Sequence, residues 1–255
     1  MSSSTWTLDA LSSSARKAAG QCWRFVEAQH HVSTAKLTDN SDEQRRLELL
    51  IEDSKPAVPE ECQHLSYLLY TPFRYRPYPM GSRFRRAGFT PGVFYASALV
   101  ETAAAEMTFH RLLFFAESPD TPWPTNAAEY TGFSVAYSAA RSIDLTGPAF
   151  VKRRKAWIHP TDYQACQDLS DAARAAQIDI IKYESARAPD HAINIAILTC
   201  RSFASPSEIE RQTWRIYLAA YGARVMREFP RMVLEFDRMA FSNDPRIAQM
   251  KWERG

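Results

Sequence analysis

Gly92-Val93-Phe94-Tyr95-Ala96-Ser97-Ala98-Leu99-Val100-Glu101-Thr102-Ala103-Ala104-Ala105-Glu106 is the stretch on which the reading of the fold turns. Its first half, a short apolar run behind a Pro-Gly pair, reads as a strand. Its second half is alanine-rich and opens a helix whose pattern runs over residues 102–115. Glu106 sits early in that helix among small neighbours, which let other backbone approach closely. Two readings stay open for it: a carboxylate facing a cavity, or a glutamate that stabilises the positive end of the helix dipole. Glu101, five positions earlier, lies about 140° round the helix and reads as an exposed first-turn residue.

Downstream and upstream of this stretch the texture is similar. Short apolar or alternating runs predict strands at 68–70, 93–95, 133–137, 178–182 and 193–198. Helical patterns cover 161–177 and 207–228, the latter ending before Pro230, with Trp214, Tyr217, Leu218 and Tyr221 at core spacing. Strands and helices mix without the regular βαβ alternation of a doubly wound sheet. Before residue 60 only helices are expected. Leu8, Leu11, Ala15, Ala18, Cys22 and Val26 recur at three- and four-residue steps, predicting a helix to about His30. Ser41 with Gln44 forms a capping-box start for a second helix, with Leu47, Leu50 and Ile51 on one face, which Lys55-Pro56 stops. Residues 1–60 thus read as an N-terminal helical extension packed on a main domain of residues 61–255.

The bulk numbers exclude several classes. With 255 residues, 45% hydrophobic and 24% charged, the chain supplies an ordinary globular core. A formal charge of +2, from 31 basic and 29 acidic side chains, creates no global field for nucleic acid. The run Lys152-Arg153-Arg154-Lys155 reads as a solvated surface segment. No stretch approaches the about 18 apolar residues of a membrane span, and no secretory signal is legible, so the cytoplasm is the expected address. Cys22, Cys62, Cys166 and Cys200 are far apart and form no zinc-type spacing. Neither a structural metal nor a disulfide framework is expected. His110, His159 and His191 are isolated and read as surface or core residues.

Walker-type loops, Gly-x-Gly-x-x-Gly turns, Gly-x-Ser-x-Gly elbows and His-Glu-x-x-His helices are missing. With eight glycines, phosphate would have to be held mainly by side chains. Arginine and aromatic residues interleave between 71 and 89: Arg74, Arg76, Arg83, Arg85 and Arg86 with Phe73, Tyr75, Tyr78, Phe84 and Phe89. Guanidinium groups bind phosphate oxygens bidentately, and aromatic faces stack on planar rings. Single-stranded nucleic acid would be served by the same chemistry, and a basic, aromatic-rich loop without ligand is the plainer alternative.

These residues carry a family resemblance. Pro72-Phe73-Arg74-Tyr75, Gly81-Ser82-Arg83-Phe84-Arg85, Val93-Phe94-Tyr95 and Ala105-Glu106 stand in the order and approximate spacing of the RES domain, named for its Arg, Glu and Ser. Ile181-Lys182-Tyr183-Glu184-Ser185-Ala186-Arg187, then Asn194-Ile195-Ala196, resemble that family's strand, serine and next strand. The resemblance spans residues 65–205. One departure is that the family's frequent Gly-Gly-Arg-Trp-Asn box keeps its arginine and an aromatic here but loses the asparagine.

The resemblance implies an α+β fold similar to ADP-ribosyltransferases: a mixed β core with surrounding helices. It implies cleavage of the nicotinamide–ribose bond of NAD, by phosphate or water, in a toxin neutralised by an antitoxin protein. Transfer of ADP-ribose to a protein is the alternative enzyme reading, and a silent nucleic-acid or protein-binding module is a third. NAD is then the substrate and no metal is called for. Nicotinamide leaves as a neutral base, so one carboxylate suffices where ordinary glycoside cleavage uses two. Glu106 is assigned to stabilising positive charge on the ribose. Arg74 and Arg83 are assigned to the diphosphate or its ribose, with Arg74 matched to the family's naming arginine. Tyr95 is assigned to the nicotinamide ring, and Ser185 to the ribose or to holding Glu106.

Overall fold

The computed structural model describes residues 6–28, 34, 37–75 and 79–254. Eight strands form one mixed sheet: β1 (Arg16–Glu27), β2 (Phe94–Ser97), β3 (Ala128–Asp144), β4 (Ile180–Glu184), β5 (Ile193–Ile197), β6 (Glu210–Ala219), β7 (Gly222–Arg227) and β8 (Met232–Asp237). With the helices around it this makes an α+β fold.

The long β3 organises the sheet. One of its edges pairs antiparallel with β1 from Arg16↔Ser142 to Glu27↔Tyr130. The other edge is split: residues 128–134 pair antiparallel with β6, whereas 142–144 pair parallel with β4. Beyond β4 come β5 and β2, both antiparallel to their neighbours, and β2 meets β1 at Ser97↔Trp23. The strands β1-β2-β5-β4-β3 therefore close into a ring, and β6-β7-β8 run on from the other half of β3.

Two helices cover this framework. The helix Val100–Glu117 begins with no side-chain cap and buries Thr102, Ala103, Ala104 and Ala105. Alanine lets it lie close to the sheet, and its Phe109, Leu112 and Phe115 pack with Phe25, Tyr130, Trp214 and Trp252. Gln164–Ala175 buries Cys166, Leu169 and Ala173 against Phe84, Ile143, Ile181 and Tyr183.

Several expectations are corrected. The pattern read as a helix from Leu8 yields a helix only over Leu8–Ser14, followed by β1. Its expected end at His30 lies outside the described residues. Ala18 and Ala19 favour a helix by only a few tenths of a kcal/mol each and Gly20 disfavours it by about 1 kcal/mol, so pairing with β3 along eleven residue positions decides the conformation. Because β1 closes the strand ring, the segment before residue 60 is not a purely helical extension. The helix Ser41–Asp53 forms, but Asn40 caps it: Asn40 Oδ1 accepts from the Asp42 and Glu43 amides at 3.0 and 2.9 Å.

The expected strand at 68–70 belongs to the helix Tyr67–Arg74. The expected helix over 207–228 is the hairpin of β6 and β7, in which Trp214, Ile216 and Leu218 alternate inward with period two. Gly222 opens β7 at φ +137, where an added Cβ would lie 2.1 Å from the Phe236 carbonyl oxygen. Cys62 and Cys200, 138 residues apart with Cα atoms 5.4 Å apart, are joined as a disulfide, contrary to the sequence expectation. Their separation follows no motif because the tertiary fold alone brings them together.

Candidate active site

A cleft of about 480 Å³ opens where β1, β2 and the first turns of Val100–Glu117 meet the loop at 80–83 and the segment after β4. The order of β2 explains its walls. Tyr95 and Ser97, two residues apart, both line the cleft, while Phe94 between β1 and β5 packs with Phe133 and Phe203 in the core.

Glu106 is the carboxylate of the cleft floor, with its side chain 18% exposed. Oε1 accepts from Ser185 Oγ and from Asn194 Nδ2, both at 2.7 Å. Oε2 faces Arg187 Nη1 at 3.4 Å. Burial acts to raise the Glu106 pKa, but the Arg187 cation, the Ser185 hydroxyl, His110 and the Asn194 amide outweigh it and hold the carboxyl below its usual range. The group is therefore an anion at neutral pH.

Ser185, fully buried, caps the turn that follows β4. Its Oγ accepts the Arg187 and Ala188 amides at 3.1 and 2.8 Å. With both acceptor positions used, its proton is directed at Glu106. Tyr95 is fixed through its hydroxyl, which accepts the Phe84 amide at 3.0 Å and meets Ser82 Oγ at 2.9 Å. Burial raises its pKa, so the phenol stays neutral.

The arginines divide sharply. Arg83 lines the cleft but donates to the carbonyls of Trp157 at 2.6 Å and His159 at 3.0 Å, and its guanidinium lies 4.9 Å from the Tyr163 ring centre. Arg74 does not join the cleft, a correction to the sequence expectation. Its Nη1 pairs with Glu52 at 2.6 Å and its Nε donates to the Pro56 carbonyl, which ties the helix Ser41–Asp53 to Tyr67–Arg74. Arg86 pairs with Asp168 and Asp171. Arg76 and Tyr78 lie outside the described residues.

Arg24, on β1, is the cleft cation that sequence reading missed. Its Nη1 donates to the Tyr95 carbonyl at 2.8 Å and its guanidinium packs over Phe94, yet among the described residues no carboxylate pairs with it and its buried Nε has no partner. Burial pushes its pKa down to about 10. A desolvated cation without a counter-charge is costly, and an anionic ligand relieves that cost. Arg187, which enters the sequence pattern only as the end of the serine motif, and His110, which reads there as a surface or core residue, also line the cleft. Arg187 bridges Glu106 and Tyr163 Oη, the latter at 2.8 Å, and His110 lies on the cleft one helical turn beyond Glu106. The i, i+4 spacing of Glu106 and His110 was the available signal. For Arg24 it was a lone arginine between the aromatics Trp23 and Phe25.

Among the described residues, no group of three His, Cys, Asp or Glu side chains is placed to hold a metal ion. No described helix is long and apolar enough to cross a membrane.

An α+β protein with one ionised carboxylate clamped in an arginine- and tyrosine-lined cleft is the class that fold and site define. The model of the RES domain matches residues 58–219, and the chain belongs to the RES domain family. The crystal structure of the M. tuberculosis MbcT-MbcA toxin-antitoxin complex is similar at 13% identity, covering 82% of this chain and 90% of that chain with a TM-score of 0.46. No curated protein matches. Arg24 lies outside the residues that the family model covers, as does the C-terminal Arg246 that reaches the cleft.

Proposed function

We propose that this protein is a RES-type toxin that cleaves the nicotinamide–ribose bond of NAD and so depletes the cofactor. The observation that carries the reading is Glu106: a half-buried carboxylate on the cleft lining, kept ionised, with Oε1 held by two short hydrogen bonds and Oε2 facing Arg187 at 3.4 Å.

The chemistry asks for little more. The glycosidic bond breaks with both electrons going to the nicotinamide nitrogen, which loses its positive charge and needs no general acid. Positive charge grows on the ribose carbon, where the Glu106 anion in a low-dielectric cleft opposes it. A phosphate oxygen then bonds to that carbon, giving nicotinamide and a phosphorylated ADP-ribose. Water in the same place gives ADP-ribose and releases a proton.

Arg24 is the residue best suited to the diphosphate, because it is a cation without a carboxylate. Arg83 holds the 157–159 backbone and forms the wall beside Tyr163, and Tyr95 presents its ring to the planar base. Ser185 orients Glu106. A volume of about 480 Å³ lies within the range of small-molecule sites, about 300–1,000 Å³. An antitoxin protein that covers this cleft is the proposed partner, as family membership implies.

The test is nicotinamide release from NAD by the purified protein, with and without phosphate, beside Glu106→Gln. Release that falls by about 100-fold or more in the folded variant supports the reading, and phosphate dependence selects phosphorolysis. Labelled protein bands from NAD and lysate would instead indicate transfer of ADP-ribose. No release from folded, partner-free protein removes the NAD-degrading reading.

A further inference from the structure

Ser97 and Asn194 are direct partners across the β2–β5 pair, so their side chains leave the sheet on one face. Both are buried, 2% and 3% exposed. Ser97 Oγ donates to Asn194 Oδ1 at 2.6 Å. That bond decides which end of the amide faces the serine, and it leaves Nδ2 to donate to Glu106 Oε1 at 2.7 Å. Ser185 donates to the same oxygen, whereas Oε2 has only the longer contact to Arg187.

We propose that Asn194, locked by Ser97, is a positioning residue that sets the rotation of the Glu106 carboxylate and presents Oε2 to the substrate. Without Ser97 the amide is able to turn over and aim Oδ1 at the carboxylate, exchanging an attraction for a repulsion. Ser185 alone permits rotation about one hydrogen bond. Two donors on one oxygen, arriving from the turn after β4 and from β5, remove it. The charged and titratable groups around Glu106 are Arg187 and Tyr183 from the segment after and along β4, and His110 on its own helix. None of them contacts Oε1 within hydrogen-bond distance, so none replaces Asn194 there.

The inference rests on the proposed NAD chemistry only for its kinetic arm. The test therefore pairs two readouts on Asn194→Ala, Asn194→Asp, Ser97→Ala and Ser97→Thr, each checked for folding by circular dichroism. The first is the carboxyl ¹³C titration of Glu106 by NMR, which needs no turnover. Asn194→Ala is expected to raise the Glu106 midpoint by about one pH unit. Ser97→Ala should raise it less, Ser97→Thr should restore it, and Asn194→Asp should raise one carboxyl of the pair most.

The second readout is nicotinamide release. Asn194→Ala should lower kcat by about 10- to 100-fold with KM changed by no more than about threefold, the signature of a group acting through Glu106 and not on substrate. An unmoved Glu106 titration in folded Asn194→Ala, or in Ser97→Ala if the first variant unfolds, overturns the proposal. A fall confined to KM does the same. Absence of turnover in the unaltered protein would count against the NAD reading and leave the NMR arm to judge Asn194.

Discussion

Ser185 Oγ stands 2.7 Å from Glu106 Oε1 while accepting the Ala188 amide at 2.8 Å, so one hydroxyl holds both the carboxylate and the turn that delivers Arg187 to it. Removing it should damage chemistry and fold together. Ser185→Ala is expected to lower kcat for nicotinamide release by about 10- to 100-fold and to cost about 1–3 kcal/mol of stability, because two buried amides lose their acceptor. Steady-state kinetics with urea unfolding measure both. A variant of full activity would show that Ser185 does not hold Glu106.

Under the proposed chemistry, the depressed Glu106 pKa should set the acid side of the activity profile. A group whose pKa is lowered by folding contributes stability that is present above its unfolded value and is lost as pH falls through the folded value. Activity that needs the anion should therefore persist to pH values below the ordinary glutamate pKa of about 4.3. Arg187→Gln removes the chief lowering influence. Its acid limb should move to higher pH, with stability lost earlier on acidification. An unshifted limb would assign the profile to another group.

Arg24 and Arg74 separate binding from scaffolding. Arg24→Gln is expected to raise KM for NAD by about tenfold or more, since a charged hydrogen bond to phosphate is worth about 1.5–3 kcal/mol. Thermal stability should be unchanged or improved, because a half-buried cation with no carboxylate partner among the described residues is removed. Arg74→Gln should leave KM alone and lower the melting temperature, because it unties Glu52 and Pro56. The opposite pattern would return the ligand role to Arg74.

Gly92 admits no side chain. A Cβ there would lie 1.8 Å from the Pro72 carbonyl oxygen and 2.9 Å from Phe73 Cα. Backbone cannot retreat as a flexible side chain does, so Gly92→Ala should destabilise by about 1–3 kcal/mol or more. Chemical denaturation reads the change, and an unaffected midpoint would mean that the segment leading into β2 approaches the Tyr67–Arg74 helix less closely.

Much of this fold is legible in the sequence where side chains declare a period. Apolar runs at 93–95, 178–182 and 193–198 overlap β2, β4 and β5 with ends shifted by one or two residues, that at 133–137 lies within β3, the pattern at 102–115 lies within Val100–Glu117, and that at 161–177 contains Gln164–Ala175. The failures come where the period is silent or misleading. In β1, alanine, glycine and glutamine fit either period, and the aromatics at 214 and 217 in β6 and at 221 in the turn after it happen to match helical steps although Trp214, Ile216 and Leu218 alternate. Partners more than a hundred residues away in β1's case chose the strand. At the site, Glu106, Tyr95 and Arg83 line one cleft, Ser185 lies buried behind it in hydrogen-bond contact with Glu106, and Arg74 stands apart with Glu52. For Arg24 the sequence offers only a lone arginine between Trp23 and Phe25, because whether a carboxylate comes to pair with it is decided by the tertiary fold.

The strand ring has a temporal meaning. β1 is made first, yet its partner in β3 ends at Ser142 and the β5 that completes the circuit ends at Ile197. A ribosome-bound chain thus carries β1 with an open edge while well over a hundred further residues are added, and pairings so distant in sequence form slowly. Arg24, Glu106 and Asn194 come to line one cleft only after the ring shuts. Synthesis itself would therefore delay the appearance of a formed cleft until β5 has been made, so the cleft is among the last features of the molecule to exist.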